Sequence, residues 1–408
     1  MMMNMTYSHN YVPYHIHTFY SLLDSCTAPE AYIKRAAELG MNTFGWAEHG
    51  NIFNWRQKQA LCEQYGLKYL HGIEIYITET HEEKVKDNWH TVLIAKNYEG
   101  FKEINNIFFT SSQPNHTYYK RRISIEEFLA ISDNVIKISA CIQSPLWQLR
   151  KLIMADEDEE RQAKRKELYL KMAKHYDYYE IQYHDFPDNI EYTKLLYKMS
   201  QMFHKPLIAG TDTHSLDDYK AECRVILQYG KTENEWGNSE NECDLTFKTY
   251  DELVTKLNQL KVLPEDVILE AIENTNRMAD SCDVLEFDKH DKYPYLYGED
   301  DEKVMWDTIK KNYKDKLDKG IITNDPAYVN QIKEEMAVFK KVNMVGFMLF
   351  MSEMMTWARE QHIATGFSRG SVSGSVVAYI TNITDVDPIR WHTIFSRFCN
   401  EHRVEAGD

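Results

Sequence analysis

Short apolar runs alternate with helical patterns along the first half of the chain, and this alternation constrains the fold most. The runs that predict strands are 11–16, 42–47, 68–77, 91–95, 135–140, 178–183 and 206–210. Patterns typical of helices separate most of them, for example at residues 28–39 and 190–204. Strands alternating with helices favour a parallel sheet, and seven or eight such units predict an α/β barrel. Functional residues of such barrels lie on loops at the carboxyl ends of the strands.

Residues that bind metals occur at or beside nearly every run. Five runs are followed directly by such a residue, a sixth is followed by His184, and His90 instead precedes its run. Imidazole and carboxylate groups suit Zn, Mn or Fe, and two or three clustered ions activate water to cleave phosphate esters. We therefore predict a metal-dependent phosphodiesterase site, with His184 as an outer or substitute ligand. Its candidate ligands are His15, His17, Asp24, His49, Glu74, His90, Cys141, Asp212 and His214.

Composition favours a soluble, reduced protein. The seven cysteines are scattered and lack a CxxC pair, which argues against a disulfide framework or a zinc knuckle. The longest apolar stretch, 345–358, is too short to span a membrane, and no secretion leader opens the chain. We expect a bacterial cytoplasmic location. The net charge of -16 is unusual for a nucleic-acid protein, and we interpret basic patches such as 120–122 as solvated helix faces.

Several segments resemble a known family. His15-Ile-His-Thr-Phe-Tyr-Ser-Leu-Leu-Asp24 is similar to the opening of the polymerase-and-histidinol-phosphatase (PHP) domain of bacterial C-family replicative DNA polymerases, the DNA polymerase III alpha subunits. Residues 48–51, 72–76, 89–97 and 210–214 continue the pattern in the same order, with Glu48 where an Asp is usual. The resemblance implies that residues 1–285 form a distorted (β/α)7-like barrel. It also implies that the nine candidates bind two or three divalent ions.

The second part of the chain resembles the start of the C-family palm. The similarity rests on Gly366-Phe-Ser-Arg-Gly-Ser-Val-Ser-Gly-Ser375 and on residues 376–379, 384–388 and 395–400. It implies that residues 286–408 form a helical segment and an incomplete nucleotidyltransferase-like palm. Glycines allow close approach to phosphate, and a helix beginning near Val372 would direct its amino end at the same anion. The implied triphosphate contacts are Gly366, Arg369, Gly370, Ser371, Gly374 and Ser375. Phe367 and Ser368 replace the usual Pro and Gly.

The polymerase aspartates of this family are expected shortly after Arg403, whereas the sequence ends at Asp408. Asp385 and Asp387 match a structural turn before Pro388 instead of a catalytic pair. We therefore expect polymerisation to require a second polypeptide, together with primer–template DNA, dNTP and Mg²⁺. A split gene and a truncated product both explain this end, and the divergence of the sequence suggests a phage polymerase.

The leading hypothesis is the amino-terminal part of a C-family DNA polymerase, a nucleotidyltransferase. Its PHP domain would provide 3′ to 5′ exonuclease activity for proofreading. Two alternatives remain open. One is a stand-alone PHP phosphoesterase acting on a small phosphomonoester, which has no need of residues 290–408. The other is a metal-stabilised, non-catalytic scaffold that docks a polymerase partner.

Overall fold

The structure is a computed structural model that describes residues 9–81, 84–229, 243–288 and 296–400. It divides into two compact units, residues 1–287 and 288–408. The functional assignment of ranges 1–285 and 286–408 stays a prediction. Within the described ranges, no helix combines the length and apolar character that crossing a bilayer requires.

The strands of the first unit are short, and each predicted run except the first contains one. Run 11–16 forms only an isolated bridge between Ile16 and Thr213. Run 68–77 contains two strands, and a hairpin that was not predicted follows at residues 117–124. The strands are β1 (Thr43–Gly45), β2 (Lys68–Leu70), β3 (Gly72–Thr78), β4 (Trp89–Ala95), β5 (Thr117–Tyr118), β6 (Lys120–Ser124), β7 (Val135–Ile138), β8 (Tyr179–Ile181) and β9 (Leu207–Ala209).

The five-stranded sheet is mixed, so the prediction of a parallel sheet is wrong for its central strands. β1–β2 and β8–β9 are parallel pairs, whereas the five-stranded sheet has the order β5-β6-β3-β4-β7. In that sheet β4 is antiparallel to both β3 and β7. The physical reason is that the residues described between β3 and β4, 79–81 and 84–88, contain no crossover helix of the kind that a parallel connection needs.

This reversal explains why His90 precedes its strand. Because β4 is antiparallel to β3, its amino end lies beside the carboxyl end of β3, where Tyr76 pairs with His90. Isolated bridges join His49 to Glu74 and Ile138 to Tyr178, and so connect the three sheets. All seven residues of β3 are buried, as expected for a strand covered on both faces.

Helices surround these sheets. Runs 28–39 and 190–204 form helices as predicted, each with a proline in its first turn. The main core contains Trp46, Ile75, Phe128 and Tyr192. The helices of this unit are α1 (Pro29–Glu38), α2 (Trp55–Gln64), α3 (Tyr98–Ser111), α4 (Ile125–Leu129), α5 (Pro145–Ala155), α6 (Glu159–His175), α7 (Pro187–Phe203), α8 (Asp218–Tyr229), α9 (Tyr250–Gln259) and α10 (Glu265–Asp280).

The second unit is helical in the part that the structure describes. In its core, Phe339 and Met348 pack with the buried residues of the short helix 376–380. The predicted helix near Val372 is wrong, because residues 370–374 form a 3-10 turn and the next α-helix begins at Val376. Its helices are α11 (Asp301–Asp318), α12 (Pro326–Lys341), α13 (Val345–Glu360), α14 (Val376–Ile380) and α15 (Pro388–Trp391), with 3-10 turns at Gly298–Asp300, Gly370–Gly374 and Phe395–Arg397.

Candidate metal centre and glycine/serine segment

Seven of the nine predicted ligands converge in the first unit. They form three overlapping groups, and within each group the potential ligand atoms lie within 4.8 Å of one another. His17 and His49 each belong to two groups. The groups are His17, His49 and His214; His15, His17 and Asp212; and His49, Glu74 and His90. We call these seven residues the donor cluster.

Backbone pairing brings distant parts of the chain to the donor cluster. The amide of His17 donates to the carbonyl of Thr213 at 2.8 Å, and the amide of Thr213 donates to the carbonyl of His15 at 3.0 Å. The H-x-H and D-x-H motifs therefore lie side by side. Asp212 adopts a left-handed φ of 46°, a conformation that Asp tolerates better than most residues.

Buried polar atoms of the donor cluster lack hydrogen-bond partners. Among the placed residues, Nε2 of His15, Nε2 of His17, Oε1 of Glu74 and Oδ1 of Asp212 have none. Yet Oδ1 of Asp212 lies 3.3 Å from Nε2 of His15 and 3.2 Å from Nε2 of His17. Burying unpaired polar atoms is costly, and close approach without hydrogen-bonding geometry is what ligands around a shared cation show. The residues present therefore fit divalent metal ions.

The protonation of the cluster suits this role. Burial is the main cause that lowers the pKa of His17, and the neighbouring His49 and His214 lower it further. Its pKa is about 3, which leaves the imidazole neutral. Burial opposes ionisation of Asp212, but His15 and His17 outweigh it and hold its pKa well below the usual range. For His49, burial is outweighed by Glu74 and Asp24, which raise the pKa to about 10. Without an ion, a histidine proton thus compensates the carboxylates, and metal binding would release it.

Glu180 orients His15, and it is not among the residues predicted from the sequence. Oε1 of Glu180 lies 2.7 Å from Nδ1 of His15, and its Oε2 accepts a hydrogen bond from the Tyr14 hydroxyl at 3.0 Å. A Cβ at Gly210 would come within 2.2 Å of the Glu180 carboxylate, so this position needs glycine. The available signal was an acidic residue inside the apolar run 178–183. Carboxylates that hold the second nitrogen of a histidine ligand fix its orientation and tautomer.

Asp24 contacts the cluster but belongs to none of the three groups. Its Oδ2 lies 2.9 Å from Nε2 of His49. Its Oδ1 accepts hydrogen bonds from Arg224 and Gln228, each at 2.7 Å. Half of this carboxylate is therefore bound to protein donors. Its role as a ligand stays a prediction, with Oδ2 as the available atom.

Cys141 and His184 lie outside the three groups, although both line the cavity into which the donor cluster opens. Sγ of Cys141 is 3.8 Å from Nδ1 of His90. Burial, with Asp212 and Glu74 nearby, raises the pKa of this thiol well above its usual value. Burial also lowers the pKa of His184 to about 4. The ligand roles of both residues stay predictions.

The donor cluster opens into a cavity of about 680 Å³ with a cationic and aromatic rim. Tyr76, Tyr119, Lys120 and Arg121 line it, and Nζ of Lys120 lies 5.4 Å from the centroid of the Tyr76 ring. The interpretation of 120–122 as a solvated helix face is wrong, because these residues form β6. Despite the negative net charge of the chain, this rim suits an anionic ligand that carries aromatic rings.

In the second unit, Glu335 binds the carboxyl end of the glycine/serine segment, residues 366–375. Its carboxylate accepts hydrogen bonds from the Ser375 hydroxyl at 2.7 Å and from the amides of Val376 and Val377 at 2.8 and 2.9 Å. Ser375 is fully buried. A Cβ at Gly374 would come within 2.5 Å of the Ile394 carbonyl oxygen. Gly374 and Ser375 thus support the structure here, because a protein carboxylate already occupies the amino end of α14. Their contacts with a nucleotide stay a prediction.

The amino-terminal half of the segment is accessible. Gly366, Arg369, Gly370 and Ser371 are exposed, and Gly370 has a φ of 59° that favours glycine. Phe367, at a family Pro position, exposes 79% of its surface. Asp387 caps α15 by accepting from the amides of Ile389 and Arg390, which agrees with the predicted structural turn before Pro388.

Two protein families match segments of this chain. The PHP domain family matches residues 13–184, and the bacterial DNA polymerase III alpha NTPase domain matches residues 302–408. Among solved structures, an amidohydrolase from Chromobacterium violaceum aligns with 50% of this chain and 87% of its own, at 13% identity. Its TM-score of 0.31 supports no argument.

Relatives are similar over nearly the whole chain. DNA polymerase III subunit alpha of Aquifex aeolicus is 28% identical over 98% of this chain and 36% of its own length. The Helicobacter pylori protein is 29% identical over 97% and 34%, and that of Borreliella burgdorferi is 28% identical over 99% and 35%. The chain thus spans about a third of the length of these relatives. It belongs to the DNA polymerase III alpha family and corresponds to the amino-terminal part of these proteins, a PHP domain followed by the start of the NTPase domain.

Proposed function

We propose that this chain is the amino-terminal part of a C-family DNA polymerase whose first unit removes nucleotides from a primer in the 3′ to 5′ direction. The observation that carries the proposal is the convergence of buried, unpartnered donor atoms at the base of a cavity with a cationic rim. Lys120 and Arg121 place two cationic side chains at this cavity of an otherwise acidic protein, which suits a phosphate-bearing substrate.

The donor cluster would hold two or three ions of Zn, Mn or Fe, which when bound supply activated water and neutralise phosphate charge. His15, His17 and Asp212 would form one site, and His49, Glu74 and His90 another. Glu180 would keep the His15 ring in position through Nδ1. Asp24, Cys141 and His214 would complete the coordination.

The rim would hold the primer end. Lys120 and Arg121 would bind backbone phosphates, since phosphate contacts position a nucleic acid without selecting its sequence. The exposed ring of Tyr119 offers a surface on which a terminal base can stack. A small phosphomonoester needs fewer such contacts, so the rim favours a polynucleotide over the stand-alone phosphoesterase alternative.

The second unit would contribute to nucleotide addition in the assembled enzyme. Gly366, Arg369, Gly370 and Ser371 would contact the triphosphate of a dNTP, with Mg²⁺ and primer–template DNA as further components. Arg369 is exposed, and guanidinium groups bind phosphate with two parallel hydrogen bonds. The bacterial cytoplasmic location and a phage origin belong to this proposal as predictions.

A nuclease assay tests the proposal directly. The purified chain is incubated with a 5′-labelled primer–template that carries a 3′ mismatch, with Mn²⁺ or Zn²⁺ and with or without chelator. We expect stepwise shortening of the primer. The variant Asp212→Asn with His214→Ala should lower the rate at least about 100-fold, a typical effect of losing a group that acts in the transition state.

The matched control is Asp251→Asn, which alters an exposed carboxylate on α9. It should retain full activity. Absence of shortening in protein that elemental analysis shows to be metal-loaded would reject the nuclease and favour the scaffold alternative. Cleavage of a small phosphomonoester but not of the primer would favour the stand-alone phosphoesterase.

A further inference from the structure

A second cluster of metal-binding residues lies outside the lining of the cavity. It contains His81, which follows β3, His116, which precedes β5, and Glu127 on α4. The potential ligand atoms of these three residues lie within 4.8 Å of one another. None of the three is among the nine predicted ligands, and none lines the 680 Å³ cavity. We call this group the hairpin triad, because it lies at the base of the β5–β6 hairpin.

The two imidazoles approach one carboxylate from different segments. Nε2 of His81 lies 3.1 Å from Oε2 of Glu127, and Nε2 of His116 lies 2.8 Å from Oε1. The ring centroids are 4.3 Å apart. Both Nδ1 atoms are buried and have no partner among the residues placed by the structure. Each ring therefore uses only the nitrogen that faces Glu127.

The fold fixes Glu127 independently of the histidines. Ser124 and Glu127 form a capping box, in which the Ser124 amide donates to Oε2 of Glu127 at 2.7 Å and the Glu127 amide donates to Oγ of Ser124 at 3.1 Å. The three side chains are 19%, 12% and 36% exposed for His81, His116 and Glu127. An ion could thus reach the triad from solvent without unfolding the hairpin.

We propose that the hairpin triad is a separate binding site for one divalent transition-metal ion, with Zn²⁺ as the preferred occupant. Two imidazoles and one carboxylate are a common zinc ligand set, and water fills the fourth position. The ion joins the end of β3 to the segment before β5 and to α4. This hairpin carries Tyr119, Lys120 and Arg121, so the bound ion stabilises the cationic rim of the cavity.

Zinc stoichiometry and affinity test the proposal in the full chain. The background variant Asp212→Asn with His214→Ala weakens the donor cluster. Two triad variants are made in this background. One is His81→Gln with His116→Gln, and the other is Glu127→Gln. The Glu127→Gln variant keeps the capping box, because Gln also serves at this position. Zinc is loaded, excess is removed by desalting, and bound zinc is counted by elemental analysis. Competition with a chromophoric chelator gives the affinity, and His9→Gln, at an exposed histidine, is the control.

We expect the double histidine variant to bind one zinc ion fewer than the background, and Glu127→Gln to bind this ion at least 10-fold more weakly. Zinc should slow hydrogen exchange of residues 117–124 in the background and in His9→Gln, but not in the double histidine variant. Unchanged stoichiometry in the folded double histidine variant, or unchanged affinity in Glu127→Gln, would overturn the binding site. Loss of the ion without any change in hairpin exchange would overturn its stabilising role. If the double histidine variant does not fold, the zinc affinity of Glu127→Gln tests the proposal by itself.

Discussion

Three buried carboxylates, Glu74 and Asp212 in the first unit and Glu335 in the second, have opposite hydrogen-bonding environments. In the first unit, Glu74 and Asp212 each keep an oxygen without a hydrogen-bond partner while histidines surround them. In the second unit, Glu335 accepts hydrogen bonds from Ser375, Val376 and Val377, and a fourth from the side chain of Gln331. The comparison shows that burial of a carboxylate alone does not identify a ligand site. One unpaired oxygen does not identify such a site either, because Oδ2 of the buried Asp301 in the second unit also lacks a partner among the described residues. The donor cluster differs in that four such atoms belong to side chains grouped around one another.

Removing Glu335 should have the largest effect on stability. Glu335→Ala leaves two buried amides and a hydroxyl without an acceptor, and hydrogen bonds to a charged group are worth about 1.5–3 kcal/mol each. We expect the second unit to lose about 3 kcal/mol or more. Hydrogen exchange of residues 376–383 in increasing urea measures this loss. Glu334→Ala, an exposed neighbour, should leave the exchange unchanged. An equally small effect of both variants would contradict the comparison.

Adding metal should stabilise only the unit that contains the donor cluster. At an ion concentration 100-fold above the dissociation constant, binding stabilises the folded state by about 2.7 kcal/mol. We expect Mn²⁺ or Zn²⁺ to slow hydrogen exchange in β3, β4 and β9, and chelator to reverse this. Residues 376–380 serve as the internal control. Equal protection of both units would show non-specific binding.

Glu180→Gln should weaken metal binding without unfolding the first unit. Loss of a carboxylate that orients a histidine ligand typically costs about 10- to 100-fold in metal affinity. The neutral amide keeps the size of the side chain but holds the His15 ring less firmly. Chelator competition measures the affinity, with Glu191→Gln on the exposed face of α7 as control. An unchanged affinity would show that His15 is not a ligand.

The smallest effect concerns pH. Burial raises the pKa of Glu335, and its hydrogen bonds with Ser375, Val377 and Val376 oppose this shift only in part. The folded state therefore binds a proton more tightly than the unfolded state does. The contribution of this group to stability is fully present below the ordinary Glu pKa and is lost as pH rises through the raised value.

Urea unfolding of the second unit between pH 4 and pH 8, followed by exchange of residues 376–383, measures this dependence. Glu335→Gln should flatten it, because an amide does not titrate in this range. A dependence of the opposite sign, or one that persists in Glu335→Gln, would assign the effect to another group.

The sequence predicted the convergence of most ligands, but not how the chain achieves it. The rule that ligands follow parallel strands accounts for His49 and Asp212, whereas His90 reaches the cluster because β4 is antiparallel. His15 lies beside Asp212 because of an isolated bridge between Ile16 and Thr213. Propensity does not reveal strand direction, which depends on the loop between β3 and β4. Glu180 was missed because one acid in an apolar run does not disclose its partner.

In the second unit, the amino-acid sequence was enough to predict the glycine/serine segment 366–375. It did not predict that Glu335 binds the carboxyl end of this segment. Glu335 lies 40 residues before Ser375, and nothing in the local sequence of either indicates that they are hydrogen-bonded. The start of α14 at Val376 follows from this tertiary contact. A local pattern of Gly, Ser and Arg therefore predicts a loop well and its accessible atoms poorly.

The pairing of β3 with β4 also has a consequence for folding kinetics. Glu74 and His90 are 16 positions apart and belong to neighbouring antiparallel strands, so their contact closes a short loop. His17 and Asp212 are joined only when residues nearly 200 positions apart meet, and such contacts form slowly. We expect one half of the metal centre to assemble early and the other half last. High-affinity metal uptake during refolding would then report the moment at which the first unit is complete.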